Sequence, residues 1–99
     1  MSCGAPEGGL DLAGVNVARE AVIQGRVTRA GEPVAGAYVR LLDRSGEFTA
    51  EVPTSAGGEF RFFAGDGAWT LRTLAPRADV VDTPVVASVG SVAEVAITL

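Results

Sequence analysis

Between Val22 and Ala75 the chain is written in short runs that alternate apolar with polar residues, each run closed by a turn former. The period of two is that of a strand with one buried face. Gly, Pro, Asp and Ser punctuate the runs, and each turns a chain for its own backbone reason. Strands are expected over Ala21–Thr28, Ala37–Asp43, Glu47–Val52, Glu59–Ala64, Ala68–Leu74, Pro84–Val89 and Val92–Leu99. Six to seven short strands with turns every eight to twelve residues, about the spacing of sandwich folds, imply an all-β, antiparallel Greek-key sandwich.

Alternation also assigns the faces. Ile23 and Val27 are expected inward on the first strand, with Gln24 and Arg26 outward. Gly25 sits between the two apolar positions, where a missing side chain lets another element approach closely. Ala37, Val39 and Leu41 share one parity, with Tyr38, Arg40 and Leu42 on the other. Phe48 and Ala50 are expected on one side of the third strand. Phe60, Phe62, Trp69, Leu71 and Thr73 belong to core faces. Residues 1–19 contain no alternating run and read as a flexible N-terminal tail, and 20–99 as the sandwich domain.

Composition removes whole classes of chemistry. Among 99 residues there is no His, and the eight cations are all Arg. The commonest general base, the commonest metal ligand and the Schiff-base amine are therefore missing. A Ser-His-Asp or Cys-His arrangement and a Cys/His zinc site are excluded within one chain. No cofactor or metal is expected. Net charge is −4 with no cluster of bases, which argues against nucleic acid and anionic membranes as partners. No segment approaches the roughly 20 apolar residues of a membrane span. The opening Met1-Ser2-Cys3-Gly4 stretch lacks a basic region and an apolar core, so cytoplasmic residence is expected.

The cassette Ile23-x-Gly25-x-Val27, Gly31-x-Pro33-Val34-x-Gly36-Ala37-x-Val39-x-Leu41, Gly58-x-Phe60-x-Phe62, Gly67-x-Trp69-x-Leu71 resembles the carboxypeptidase regulatory-like domains. These belong with the collagen-adhesin B-type and transthyretin-like sandwiches, so the resemblance implies a transthyretin-like fold. Two activities of such relatives fail on composition: isopeptide self-locking needs a Lys, and hydroxyisourate hydrolysis uses His. The opening Met-Ser-Cys-Gly-Ala-Pro, the stretch Gly8 to Val15 and the run Val39 to Val52 are similar to the SseC-like proteins, an actinobacterial family of unknown function. That resemblance implies a non-enzymatic accessory role in sulfur metabolism, with a rhodanese-type thiosulfate sulfurtransferase as partner.

Two candidate sites follow. Cys3 is the one residue able to carry sulfur covalently, and a Gly- and Pro-containing tail suits delivery. Its alternative is an unactivated surface thiol, since no His or Lys is present to depress its pKa. Arg26, Arg40, Arg61 and Arg72 stand at the polar parity of separate strands, beside Tyr38 and Phe63. They form a candidate anion- or partner-docking face, because guanidinium groups bind oxyanions bidentately. The competing reading is cross-strand pairing with Glu59, Glu51 and Glu94. A homo-oligomer is the alternative function, through Leu42, Leu74 and Phe63 exposed on outer faces. A carbohydrate site on Tyr38, Phe48 and Phe63 and a Ca²⁺ site on Glu47, Glu51, Asp66, Asp79 and Asp82 rank below these.

Overall fold

The computed structural model describes residues 20–99, which form two facing β-sheets. The strands are β1 (Ala21–Arg29), β2 (Glu32–Pro33), β3 (Tyr38–Leu42), β4 (Phe48–Pro53), β5 (Glu59–Ala64), β6 (Gly67–Leu74), β7 (Val81–Ala87) and β8 (Val92–Thr98). One sheet runs β4-β3-β6-β7; in the other β1 is central, with β5 and β2 paired to it and β8 beside it. The chain changes sheet after β2, β4, β5 and β7, so β3 meets β6 and β1 meets β5 across long connections, as in a Greek key. The tail 1–19 and Cys3 lie outside the described residues. No helix among the described residues is long and apolar enough to cross a membrane.

The strands differ from expectation in three places. The stretch Glu32–Pro33, which lies outside every expected strand, adds a two-residue strand that closes a hairpin on β1. Pairing is antiparallel except between β1 and β8, which run parallel from Val22↔Val92 to Thr28↔Thr98. Strand β7 begins at Val81 rather than Pro84, because Val81, Thr83, Val85 and Ala87 continue one inward parity. Pro84 is tolerated there since β7 is an edge strand and needs no donor on its free side.

Ile23, Val27, Val39, Leu41, Phe60, Phe62, Leu71 and Ile97 form the buried core, joined by Ala21 and Ala87. Each large aliphatic among them contributes roughly 2 kcal/mol by leaving water. Gly25 makes the tightest approach. A Cβ there would overlap the Val95 carbonyl and lie 3.0 Å from the Phe60 ring, whose residue is its β5 partner. The aromatic ring covers the bare backbone that the missing side chain leaves.

The outward set shows two corrections. Leu42, expected to be exposed, is 6 % accessible, because it stands in a central strand between Phe48 and Thr70. Leu74 is partly buried, and Phe63 is exposed as expected. Phe48 and Ala50 do not share a face. The register steps from Leu41↔Ala50 to Leu42↔Phe48, so β4 carries one extra residue at Thr49. A one-residue bulge reverses side-chain parity. Ala50 packs on the core while Phe48 is 62 % exposed.

Candidate functional site

The outer face of the four-stranded sheet is built in rows, because residues paired across strands stand side by side. The middle row is Glu51, Arg40, Arg72 and Asp82, taken in order across β4, β3, β6 and β7. Arg40 Nε donates to Glu51 at 2.8 Å. Arg72 binds Asp82 side-on, Nε to Oδ1 at 2.9 Å and Nη2 to Oδ2 at 3.0 Å. Hydrogen bonding from Arg72 holds the Asp82 carboxyl below the usual aspartate range. The same contact raises Arg72. The signs along the row read minus, plus, plus, minus.

Apolar rows flank the charges. On one side Phe48, Leu42, Thr70 and Pro84 stand abreast, and on the other Pro53, Tyr38 and Leu74. Phe48 and Tyr38 are both exposed, as is Val86 further along β7. A large open aromatic pair around a charge row is unlike the scattered single apolar residues of an ordinary surface.

The second sheet receives the other expected residues, so the four arginines do not share a face. Gln24 is the hub here. Its Nε2 donates to Glu94 at 2.7 Å, and its Oε1 accepts from Arg61 Nε at 3.1 Å. Arg26 pairs with Glu59 at 3.1 Å in the next row. Phe63 stands one row away, opposite Val22. Val22 and Gln24 are both buried although they have outward parity. A shallow depression of about 380 Å³ runs along the β1–β8 seam, lined by Gly25, Arg26, Glu94, Val95 and Ala96. Its two charged walls are already committed, to Glu59 and to Gln24.

The sequence reading names Asp82 only among the candidate Ca²⁺ ligands and not as the partner of Arg72; the alternation that starts at Val81 is the signal that places it on a strand. Gln24 and Thr54 were also missed as organising residues. Thr54 clamps the entry to β3: its hydroxyl donates to the Val34 carbonyl at 2.6 Å and accepts from the Ala37 amide at 3.0 Å. Asp43 organises the β3–β4 turn by accepting from the Glu47 and Ser45 amides and the Ser45 hydroxyl. The Glu47 contact leads in holding its carboxyl below the aspartate range. Glu47, Glu51, Asp66, Asp79 and Asp82 are not gathered: no group of three or more potential metal ligands occurs among the described residues.

Comparison with known proteins gives the lineage. Two uncharacterised proteins of Mycobacterium tuberculosis, Rv0814c and Rv3118, are each 58 % identical over 74 residues, covering 73 % of this chain and 74 % of theirs. An uncharacterised protein of Mycolicibacterium smegmatis is 60 % identical over 63 residues, covering 63 % of this chain and 70 % of its own. Among solved structures, the major pilin subunit of Bacillus cereus superposes with a TM-score of 0.69 at 18 % identity, over 81 % of this chain and 28 % of that one. The dioxygenase domain of a Streptomyces carbohydrate-binding fusion superposes with a TM-score of 0.65 at 13 % identity, over 89 % and 84 %. At such identities these likenesses establish the β-sandwich and nothing of activity. Residues 3–99 match the model of the family described as a protein of unknown function (DUF1416), and the chain belongs to that family.

Proposed function

We propose that this protein is a non-enzymatic interaction module whose partner docks on the outer face of the four-stranded sheet. The observation that supports this reading is the pairing of exposed Phe48 and Tyr38 on either side of a charge row whose carboxylates are already bound to arginine. Exposed aromatics at the centre of a patch supply the anchors of protein interfaces. Fixed ion pairs between them supply orientation more than affinity. Both carboxylates of the row are bound to arginine, so in this reading the face offers recognition rather than bond making.

The partner in this reading is a rhodanese-type sulfurtransferase, which the resemblance to the SseC-like proteins supports. Cys3 then receives the sulfur. Its thiolate attacks the outer sulfur of the enzyme's persulfide, the sulfur–sulfur bond breaks, and the enzyme leaves as its thiolate. Two measurements test the reading separately. Light scattering on a mixture with a rhodanese-type sulfurtransferase should show a complex that Phe48→Ser weakens; no complex overturns the partner assignment. Intact mass after incubation with that enzyme and thiosulfate should show a reducible gain of one sulfur, absent in Cys3→Ser. An unmodified but alkylatable Cys3 overturns the carrier role and leaves docking untouched.

A homo-oligomer through this face is opposed by the charge row. A two-fold axis through its centre lays the row on its own copy. With the axis along the row or at right angles to it, arginine meets arginine and carboxylate meets carboxylate.

A further inference from the structure

We infer that the Arg40–Arg72 pair is a fork for one carboxylate of the docking partner, carried on an extended segment with apolar residues two positions before and after the acid. The inference rests on the docking reading above and specifies what the face reads. Arg40 and Arg72 are direct cross-strand partners. Like charges directly opposite in a sheet repel. Each is held by a carboxylate on its outer side, Glu51 and Asp82, which leaves the middle of the row positive and its ends negative.

Donors remain to be used there. Arg40 spends Nε on Glu51, and Arg72 spends Nε and Nη2 on Asp82. Both terminal nitrogens of Arg40 and Nη1 of Arg72 make no hydrogen bond among the described residues. A carboxylate accepts several such donors, and guanidinium forks meet it with matched geometry. Phosphate or sulfate would bring a second negative charge towards Glu51 and Asp82, so a single carboxylate suits the row better.

The rows beside the charges set the neighbours of that acid. Along β3 the outward residues are Tyr38, Arg40 and Leu42, and along β6 they are Leu74, Arg72 and Thr70. Rows two residues apart lie about 7 Å from one another, the repeat of an extended chain. A segment running with the strands therefore places an acid over the arginines and its second neighbours over Tyr38–Leu74 and over Leu42 with Phe48. The net charge of −4 does not prevent this approach, because exposed charges beyond about 8 Å are screened at physiological salt.

The test uses the full chain, ¹⁵N-labelled, titrated with acetyl-Thr-Leu-Thr-Glu-Thr-Leu-Thr-amide. Amide shifts should cluster on β3 and β6 and include the Nε–H signals of Arg40 and Arg72. Replacing Glu by Gln in the peptide should weaken binding about fivefold, near the upper range for an exposed ion pair. Arg40→Gln and Arg72→Gln should each remove that discrimination while leaving the remaining spectrum folded, and added salt should erode it. Equal binding of the Glu and Gln peptides overturns the fork. So do shifts that map elsewhere, or shifts that follow protein concentration alone and thus report a second copy. If a sulfurtransferase complex weakens in Phe48→Ser but not in the double Arg40→Gln/Arg72→Gln variant, the fork fails while docking on this face stands.

Discussion

Arg72 and Asp82 stand opposite one another on β6 and β7 and share two hydrogen bonds, at 2.9 and 3.0 Å. The pair closes one end of the charge row and ties the edge strand β7 to its neighbour. Asp82 is held below its usual range chiefly by this contact, so its folded pKa lies under its unfolded one. Stability from such a group is complete above the unfolded pKa and is lost as pH falls through the folded one. Asp43 behaves alike, through the Glu47 amide first.

Acid titration of stability should show both groups. Urea midpoints measured from about pH 6 down to about pH 2 should fall most steeply below the ordinary aspartate range. Asp82→Asn and Asp43→Asn should each flatten that fall while lowering stability at neutrality. Since Asp82 is exposed and Asp43 is only half-buried, the change is modest. An unaltered acid limb in both variants counts against the assignment.

Gly25→Ala tests the closest packing in the fold. The added methyl would overlap the Val95 carbonyl, which is backbone and has no rotamer to change, and would press on the Phe60 ring. Overpacking of this kind costs about 3 kcal/mol. Denaturant unfolding should show that loss, with β8 amides next to Val95 exchanging faster. A variant within 0.5 kcal/mol of wild type, about the scatter of neutral surface changes, would show that β8 shifts freely.

Much of this architecture was legible in the alternation. The inward sets Ile23/Val27, Val39/Leu41, Phe60/Phe62 and Leu71/Thr73 are each written with period two, and each lies in the interior. Gly25 was readable as a close approach because it interrupts one of those sets. What escaped were features that period two does not encode. The extra residue at Thr49 reverses β4, so Phe48 turns outward while Ala50 turns in. The parallel β1–β8 pairing depends on how the chain returns from β7, and no local residue writes it. The charge row was half visible: the outward parity of Arg40 and Arg72 was plain, but their adjacency is a register between strands some thirty residues apart. Arg26 and Arg61 have the same parity and lie on the other sheet for the same reason.

The β1–β2 hairpin carries backbone strain at its first turn residue. Ala30 has φ +51° and Gly31 φ +84°, two successive positive values, as in the tight type I′ hairpin turn. Alanine in that region costs about 1 kcal/mol, whereas asparagine tolerates it. Ala30→Asn should therefore raise stability by up to about 1 kcal/mol, read as a higher thermal midpoint. A neutral or lower midpoint would mean the turn relaxes without cost.

Two threonines should respond oppositely to the same substitution. Thr73 is fully buried on the inner face, between Val39 and Val81, and its hydroxyl has no hydrogen-bond partner among the described residues. Valine has the same shape without the unsatisfied oxygen, so Thr73→Val should stabilise by about 1 kcal/mol. Thr54 is 6 % exposed and its hydroxyl bridges the Val34 carbonyl and the Ala37 amide. Thr54→Val leaves both backbone groups without that partner and should cost about 2 kcal/mol. Thr54→Ser keeps the bridge and should recover most of the loss. Urea unfolding of the three variants decides the matter, and equal signs for the two valine substitutions would show that burial rather than hydrogen bonding sets the role of these residues.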